Sequence, residues 1–141
     1  MMKRTHFDAV VETLDLIKRG VLDASPICTQ IEVAELMAIM NGCGAAGAKF
    51  DFVPDTIYGL WVGPVCNIHD VDYHFETTIE DKMMTDRRML NNNLRLIELR
   101  SNRIMKHPRR RRALTYWSAV NDFGGPAFWA GKNHYDKQSR G

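Results

Sequence analysis

The run Cys66-Asn67-Ile68-His69-Asp70-Val71-Asp72-Tyr73 sets a thiol, an imidazole, two carboxylates and a phenol within eight residues. On a helix with 3.6 residues per turn, Cys66, His69 and Tyr73 share one face, and His69 and Tyr73, four apart, can touch. Asp70 points about 100° away, toward whatever loop lies beside the helix. One short helix would then offer a base to one partner and a carboxylate to another. Metal-assisted hydrolysis needs that separation, because a base and a metal carboxylate must not neutralise each other. A His-Asp dipeptide is equally a surface pair, so the surroundings have to decide.

The surroundings begin with Asp86. Residues from Ile79 to about Arg103 read as the longest helix, with Ile79, Met83, Leu90, Leu94 and Ile97 on its apolar stripe. The step missing between Met83 and Leu90 falls on Asp86. An unpaired buried carboxylate is costly, so Asp86 needs a partner. The connection through Glu76-Thr77-Thr78 is short, which makes the two helices antiparallel neighbours and lets Asp86 face His69. The alternatives are an ion pair with Arg87, Arg88 or another basic residue, and a helix phase that exposes Asp86.

The remaining elements have to hold this pair. Residues 6–19 read as a helix with Phe7, Val10, Val11, Leu14 and Ile17 inward, capped by Thr5 and stopped at Gly20. A second helix starts at Ser25-Pro26 and runs to about Met40, with Ile27, Ile31, Ala34 and Met37 or Ala38 inward. The His69 helix spans roughly 64–75. A last helix runs from about Arg109 to Phe123, with Leu114, Trp117, Val120 or Asn121, and Phe123 inward; Gly124-Gly125-Pro126 stops it, and Phe128-Trp129 tucks an aromatic pair against the domain. No convincing strand pair is present, although residues 48–62 leave room for a small hairpin. The expectation is a mainly α chain: one small helical domain over residues 1–141, with N-terminal helices in 1–41, a Gly-rich loop and an antiparallel His/Asp helix pair in 42–103, a C-terminal helical segment in 109–130 and a polar tail from 132 to 141.

Composition sets the outer limits. A chain of 141 residues, 45% hydrophobic and 26% charged, suits one folded domain rather than a disordered one. No apolar run reaches the roughly 18 residues that span a bilayer. The amphipathic start, with Glu12, Asp15 and Lys18, lacks the apolar core of a signal peptide. Three cysteines are too few for a disulfide framework. The net charge of +2 selects no partner. The run Arg109-Arg110-Arg111-Arg112 is either a solvated helix start or a patch for lipid phosphate or nucleic acid; no aromatic platform is interleaved with it, which ranks nucleic acid last.

Gly42-Cys43-Gly44-Ala45-Ala46-Gly47 allows a close backbone approach. It is a connector, or a loop whose carbonyls face a hard cation or whose N–H groups face an anion. It lacks the lysine and the length of a phosphate-binding P-loop. Trp61, between Gly59 and Gly63, is a core residue or the lining of a substrate entrance. An H…HD…D metal phosphohydrolase would need an upstream histidine, and His6 sits in a plain amphipathic helix.

Taken together, Cys66-x-x-His69-Asp70-x-Asp72-Tyr73 resembles the secreted phospholipase A2 signature C-x-x-H-D-x-C-Y, with aspartate for the second cysteine. Cys43-Gly44-Ala45-Ala46-Gly47 is similar to that superfamily's calcium-loop element C-G-x-G, with one residue more. The chain, through Val53-Pro54-Asp55, the Asp86 helix and the segment Ala119 to Gly124, also resembles small phage-encoded proteins. The resemblance implies calcium-dependent hydrolysis of a glycerophospholipid sn-2 ester. His69 would be the general base and Asp86 its hydrogen-bonding partner, with Tyr73 bonded to Asp86. Asp70 would bind Ca²⁺ with carbonyls of Gly42 to Gly47, or else of Gly59 to Gly63. It also implies a Cys43–Cys66 disulfide. Arg109 to Arg112 and Trp61 or Trp129 would meet a membrane surface. The alternative is a non-catalytic phage virion or accessory protein that keeps the scaffold and binds virion proteins. Either reading places the chain in the host cytoplasm or the virion.

Overall fold

The structure, a computed structural model, describes residues 4–40 and 54–130. Helices dominate. In order they are α1 (His6–Lys18), a 3₁₀ turn (Pro26–Thr29), α2 (Val33–Ile39), a hairpin of β1 (Thr56–Ile57) and β2 (Leu60–Trp61), then α3 (Gly63–Phe75), α4 (Ile79–Arg100), α5 (Arg103–Phe123) and α6 (Gly125–Trp129). Among the described residues no helix is long and apolar enough to cross a membrane.

The middle of the fold is α3, and every residue from 63 to 73 in it is buried. One apolar cluster lies between it, the hairpin, α4, α5 and α6, and includes Ile57, Val65, Ile68, Leu96, Val120 and Phe128. A second joins it to α1, the 3₁₀ turn and α2 through Val10, Cys28, Leu36, Met40 and Val71. Yet α3 is rich in polar side chains, and buried polar groups must find partners. Asn67 donates to Thr13 Oγ1 at 3.1 Å, and Thr13 donates in turn to Ala9 O at 2.7 Å, which fixes α1 on α3. Asp72, 1% exposed, accepts from Ser25 Oγ at 2.8 Å and from Arg88 Nη1 at 2.8 Å. Arg88 also donates from Nε to Asp23 at 2.9 Å, and Asn92 clasps the Asp23 backbone through both its amide oxygen and its amide nitrogen. The segment after α1 is thereby tied to both α3 and α4.

Local signals explain most boundaries. Thr5 and Asp8 form a reciprocal capping box at α1, and Gly20 leaves the helix with φ of +76°. Thr78 and Asn102 cap α4 and α5 by accepting from Asp81 N and Met105 N. The Asn102 cap starts α5 at Arg103 rather than at about 109 and leaves Pro108 inside the helix. The single helix expected over 25–40 is broken: its first part is a 3₁₀ turn, and Glu32 is extended before α2 begins. The hairpin turns on Tyr58 and Gly59, both with positive φ, as a two-residue type I′ turn requires.

The inward faces are rotated from a purely apolar reading. In α1 the buried residues are Val10, Thr13 and Leu16, while Phe7 and Val11 are exposed. In α4 Met83 is 60% exposed, whereas Lys82, Thr85, Asp86, Asn92 and Asn93 are buried. In α5 Ala113, Tyr116 and Val120 face in, and Leu114 and Phe123 face out. In each helix a polar residue with a partner across the interface draws its face inward: Thr13 toward Asn67, Asp86 toward His69, and Tyr116, whose hydroxyl donates to Thr56 O at 2.8 Å.

Arg88→Met is therefore expected to lower the unfolding free energy by about 3 kcal/mol, because it strands a buried carboxylate. Adding Asp72→Asn should recover part of that loss. Urea unfolding of the two variants against wild type checks both statements.

Candidate active site

The antiparallel packing of α3 and α4 brings three expected residues together. His69 Nε2 lies 2.8 Å from Asp86 Oδ1, and Tyr73 donates its hydroxyl to the same oxygen at 2.6 Å. The imidazole and phenol rings, one turn apart on α3, are 4.0 Å between centroids. Phe128 stands edge-on to Tyr73 at 5.0 Å and Trp129 edge-on to Phe128 at 4.9 Å, so α6 backs the site with the expected aromatic pair. His69 is 2% exposed and Asp86 wholly buried.

A fourth residue completes the cluster. Lys82 Nζ donates to Asp86 Oδ2 at 2.7 Å, and to the carbonyls of Val120 and Asn121 at 3.3 Å each. Lys82 is the basic partner that the expectation for Asp86 left unnamed beside Arg87 and Arg88, and lysine and aspartate four apart on a helix are a legible pair. Burial pushes the Asp86 carboxyl upward. The hydrogen bond and charge of His69, with the bonds from Lys82 and Tyr73, outweigh it and hold Asp86 below its ordinary value. An ionised carboxylate only accepts, so His69 carries its proton on Nε2, and in the neutral ring the basic lone pair is on Nδ1. Burial first, and then the neighbouring Asp86 charge, raise Tyr73, which stays a phenol and a donor.

The expected metal set is only partly in view. Asp70 is 5% exposed, and its hard oxygens are of the kind Ca²⁺ takes. Gly42, Gly44 and Gly47, expected to supply carbonyls, lie outside the described residues, as does Cys43. Among the described residues no group of three or more His, Cys, Asp or Glu could hold a metal. The alternative carbonyls start at Gly59, in the hairpin turn, and end at Gly63, the first residue of α3. Gly63 has its own structural reason: a Cβ there would fall 2.5 Å from the Trp61 ring. Trp61 is half-buried, and the Arg4 guanidinium lies 3.5 Å from its ring centroid. Cys66 is disulfide-bonded, and Cys28 is a buried free thiol that burial pushes up to about 11.

The arginine run is largely engaged within the fold. Arg109 donates to Ile57 O, Tyr58 O and Ser101 Oγ, bracing the hairpin turn. Arg110 pairs with Glu98, and Arg112 lies over the rings of Tyr58 and Tyr116. Among the described residues, two buried side-chain atoms have no hydrogen-bond partner: Asn93 Oδ1 and Trp117 Nε1.

Comparison of the chain with protein-family models, with curated proteins and with solved structures finds no match.

Glu76, at the end of α3, accepts from Thr85 Oγ1 at 2.6 Å. Burial, helped by the charges of Asp72 and Asp81 and opposed by Thr85 and Arg88, pushes its carboxyl up to about 7. A raised folded value means that the protonated acid stabilises the fold. That contribution is complete below the unfolded value of 4.5 and is lost as the pH rises through about 7. Melting curves between about pH 5 and about pH 8 should show wild type losing stability relative to Glu76→Gln, whose neutral amide does not titrate.

Proposed function

We propose that the chain is a phospholipase A2-type esterase that hydrolyses the sn-2 ester of a glycerophospholipid with the help of Ca²⁺. The observation that carries this reading is the hydrogen-bonded set of His69, Tyr73 and Asp86, with the Asp70 carboxylate next in the chain. In this reading His69 Nδ1 takes a proton from the attacking water. Asp86 holds the ring by Nε2 and stabilises the imidazolium that forms. Tyr73 keeps the carboxylate in place. Asp70 would hold Ca²⁺, which supplies electrostatic stabilisation to the oxyanion developing on the ester carbonyl.

A second reading is favoured by Lys82. With Lys82, His69 and Tyr73 all donating to it, Asp86 is well satisfied, and satisfied buried polar clusters specify a fold without catalysing anything. The chain would then be a non-catalytic phage virion or accessory protein that keeps the helix pair as scaffold.

Fatty-acid release from phospholipid vesicles, with and without millimolar Ca²⁺, separates the two. The hydrolytic reading expects calcium-dependent release that falls by about 10²- to 10⁴-fold in His69→Ala, while circular dichroism stays that of a folded protein. No release from the folded wild type, on neutral and on anionic lipids, would leave the scaffold reading.

A further inference from the structure

A carboxylate has two equivalent oxygens and a soft terminal torsion. On its own, Asp86 could turn either oxygen, or neither, toward His69. The structure divides them: Oδ1 takes both His69 and Tyr73, and Oδ2 takes Lys82. The lysine side chain is 4% exposed, so this is no solvated surface pair. Its three N–H donors meet three acceptors, Asp86 Oδ2, Val120 O and Asn121 O. Two of these are main-chain carbonyls of α5, which cannot rotate away as a side chain can. The orientation of the Asp86 carboxylate is thus referred to a third helix that touches neither His69 nor Tyr73 through any of these bonds.

We propose that Lys82 is a positioning residue of the His69 site, a role that rests on the hydrolytic reading: by holding Asp86 Oδ2 against α5 it dedicates Oδ1 to His69. Lys82 touches no reacting atom. It acts through Asp86, fixing the ring orientation that aims Nδ1 at the attacking water. Placement errors of about 1 Å cost turnover on the order of 10²-fold, so a carboxylate freed to rotate should slow the reaction without weakening substrate binding. A plain staple between α4 and α5 makes a different prediction. Its loss would lower stability, while molecules that remain folded would keep the His69–Asp86 bond and their full turnover.

The test compares wild type with Lys82→Met and Lys82→Arg by two readouts on folded protein. The first is the Nε2–H proton resonance of His69 in ¹⁵N-histidine-labelled protein. The second is kcat and KM on phospholipid vesicles with Ca²⁺. Positioning predicts a slowly exchanging downfield Nε2–H signal in wild type that shifts or disappears in Lys82→Met. It predicts a kcat lower by about 10²-fold with KM little changed, and recovery of the signal and most of the rate in Lys82→Arg. If Lys82→Met does not fold, Lys82→Ala, which has no donor and leaves room for water beside Oδ2, gives the same decision on the resonance. A folded neutral variant with an unchanged signal, or with kcat within about twofold of wild type, would overturn the proposal. A wild type that releases no fatty acid overturns the hydrolytic reading instead, and the resonance alone then decides whether Lys82 orients Asp86.

Discussion

A single carboxylate with no exposure to solvent, that of Asp86, sets the terms for the rest of the structure. Leaving such a group unpaired inside a small protein would cost several kcal/mol, a large part of the total stability of a domain. The fold answers with three donors from two helices and, through Lys82, with two carbonyls of a third. The same contacts that make the charge tolerable also pin an imidazole at a defined angle. Stability and the geometry that the hydrolytic reading needs are therefore the same arrangement in this chain, which explains how a scaffold reading and an enzymatic reading can rest on one set of distances.

The polar surface of α3 extends that logic. Its Asn67 side is held by α1, its His69–Tyr73 side by α4, and Asp72 by Arg88 and Ser25. Asp72 stands where the resembled signature has a second cysteine. The position still ties α3 to its surroundings, by an ion pair that reaches the segment after α1 instead of by a covalent bridge. An ion pair of this kind responds to charge removal, whereas a disulfide responds to reduction, so the two devices place different limits on where the fold survives.

The sequence made the helix pair legible because two signals agreed. A hydrophobic stripe interrupted at Asp86 required a buried partner, and a short connection put His69 opposite it. The Thr5 cap and the break at Glu76-Thr77-Thr78 placed two helix starts well. What escaped, beyond His69, Tyr73 and Asp86, was which polar side chains the fold buries. Thr13, Lys82, Asn92 and Asn93 are polar residues on buried faces, and hydropathy assigns such residues to solvent. The early start of α5 was hidden behind Pro108, which reads as a helix breaker until Asn102, six residues upstream, is recognised as a cap; Pro108 then forgoes one intrahelical hydrogen bond. Arg109 looked like part of an outward-facing run and instead braces the Tyr58-Gly59 turn, a role that only the spatial proximity of residues far apart in sequence can show.

The account stands on Asp86 being a charged hub rather than a neutral buried acid. The most direct measurement is the ¹³C resonance of its side-chain carboxyl, followed from about pH 7 downward while the protein stays folded. The account predicts an ionised carboxylate throughout the mildly acidic range, with its midpoint below the ordinary value of 3.8. It also predicts that the stability Asp86 contributes is complete above 3.8 and is lost as the pH falls through that lowered midpoint. A midpoint above 3.8 would contradict it, because burial would then have outweighed His69, Tyr73 and Lys82.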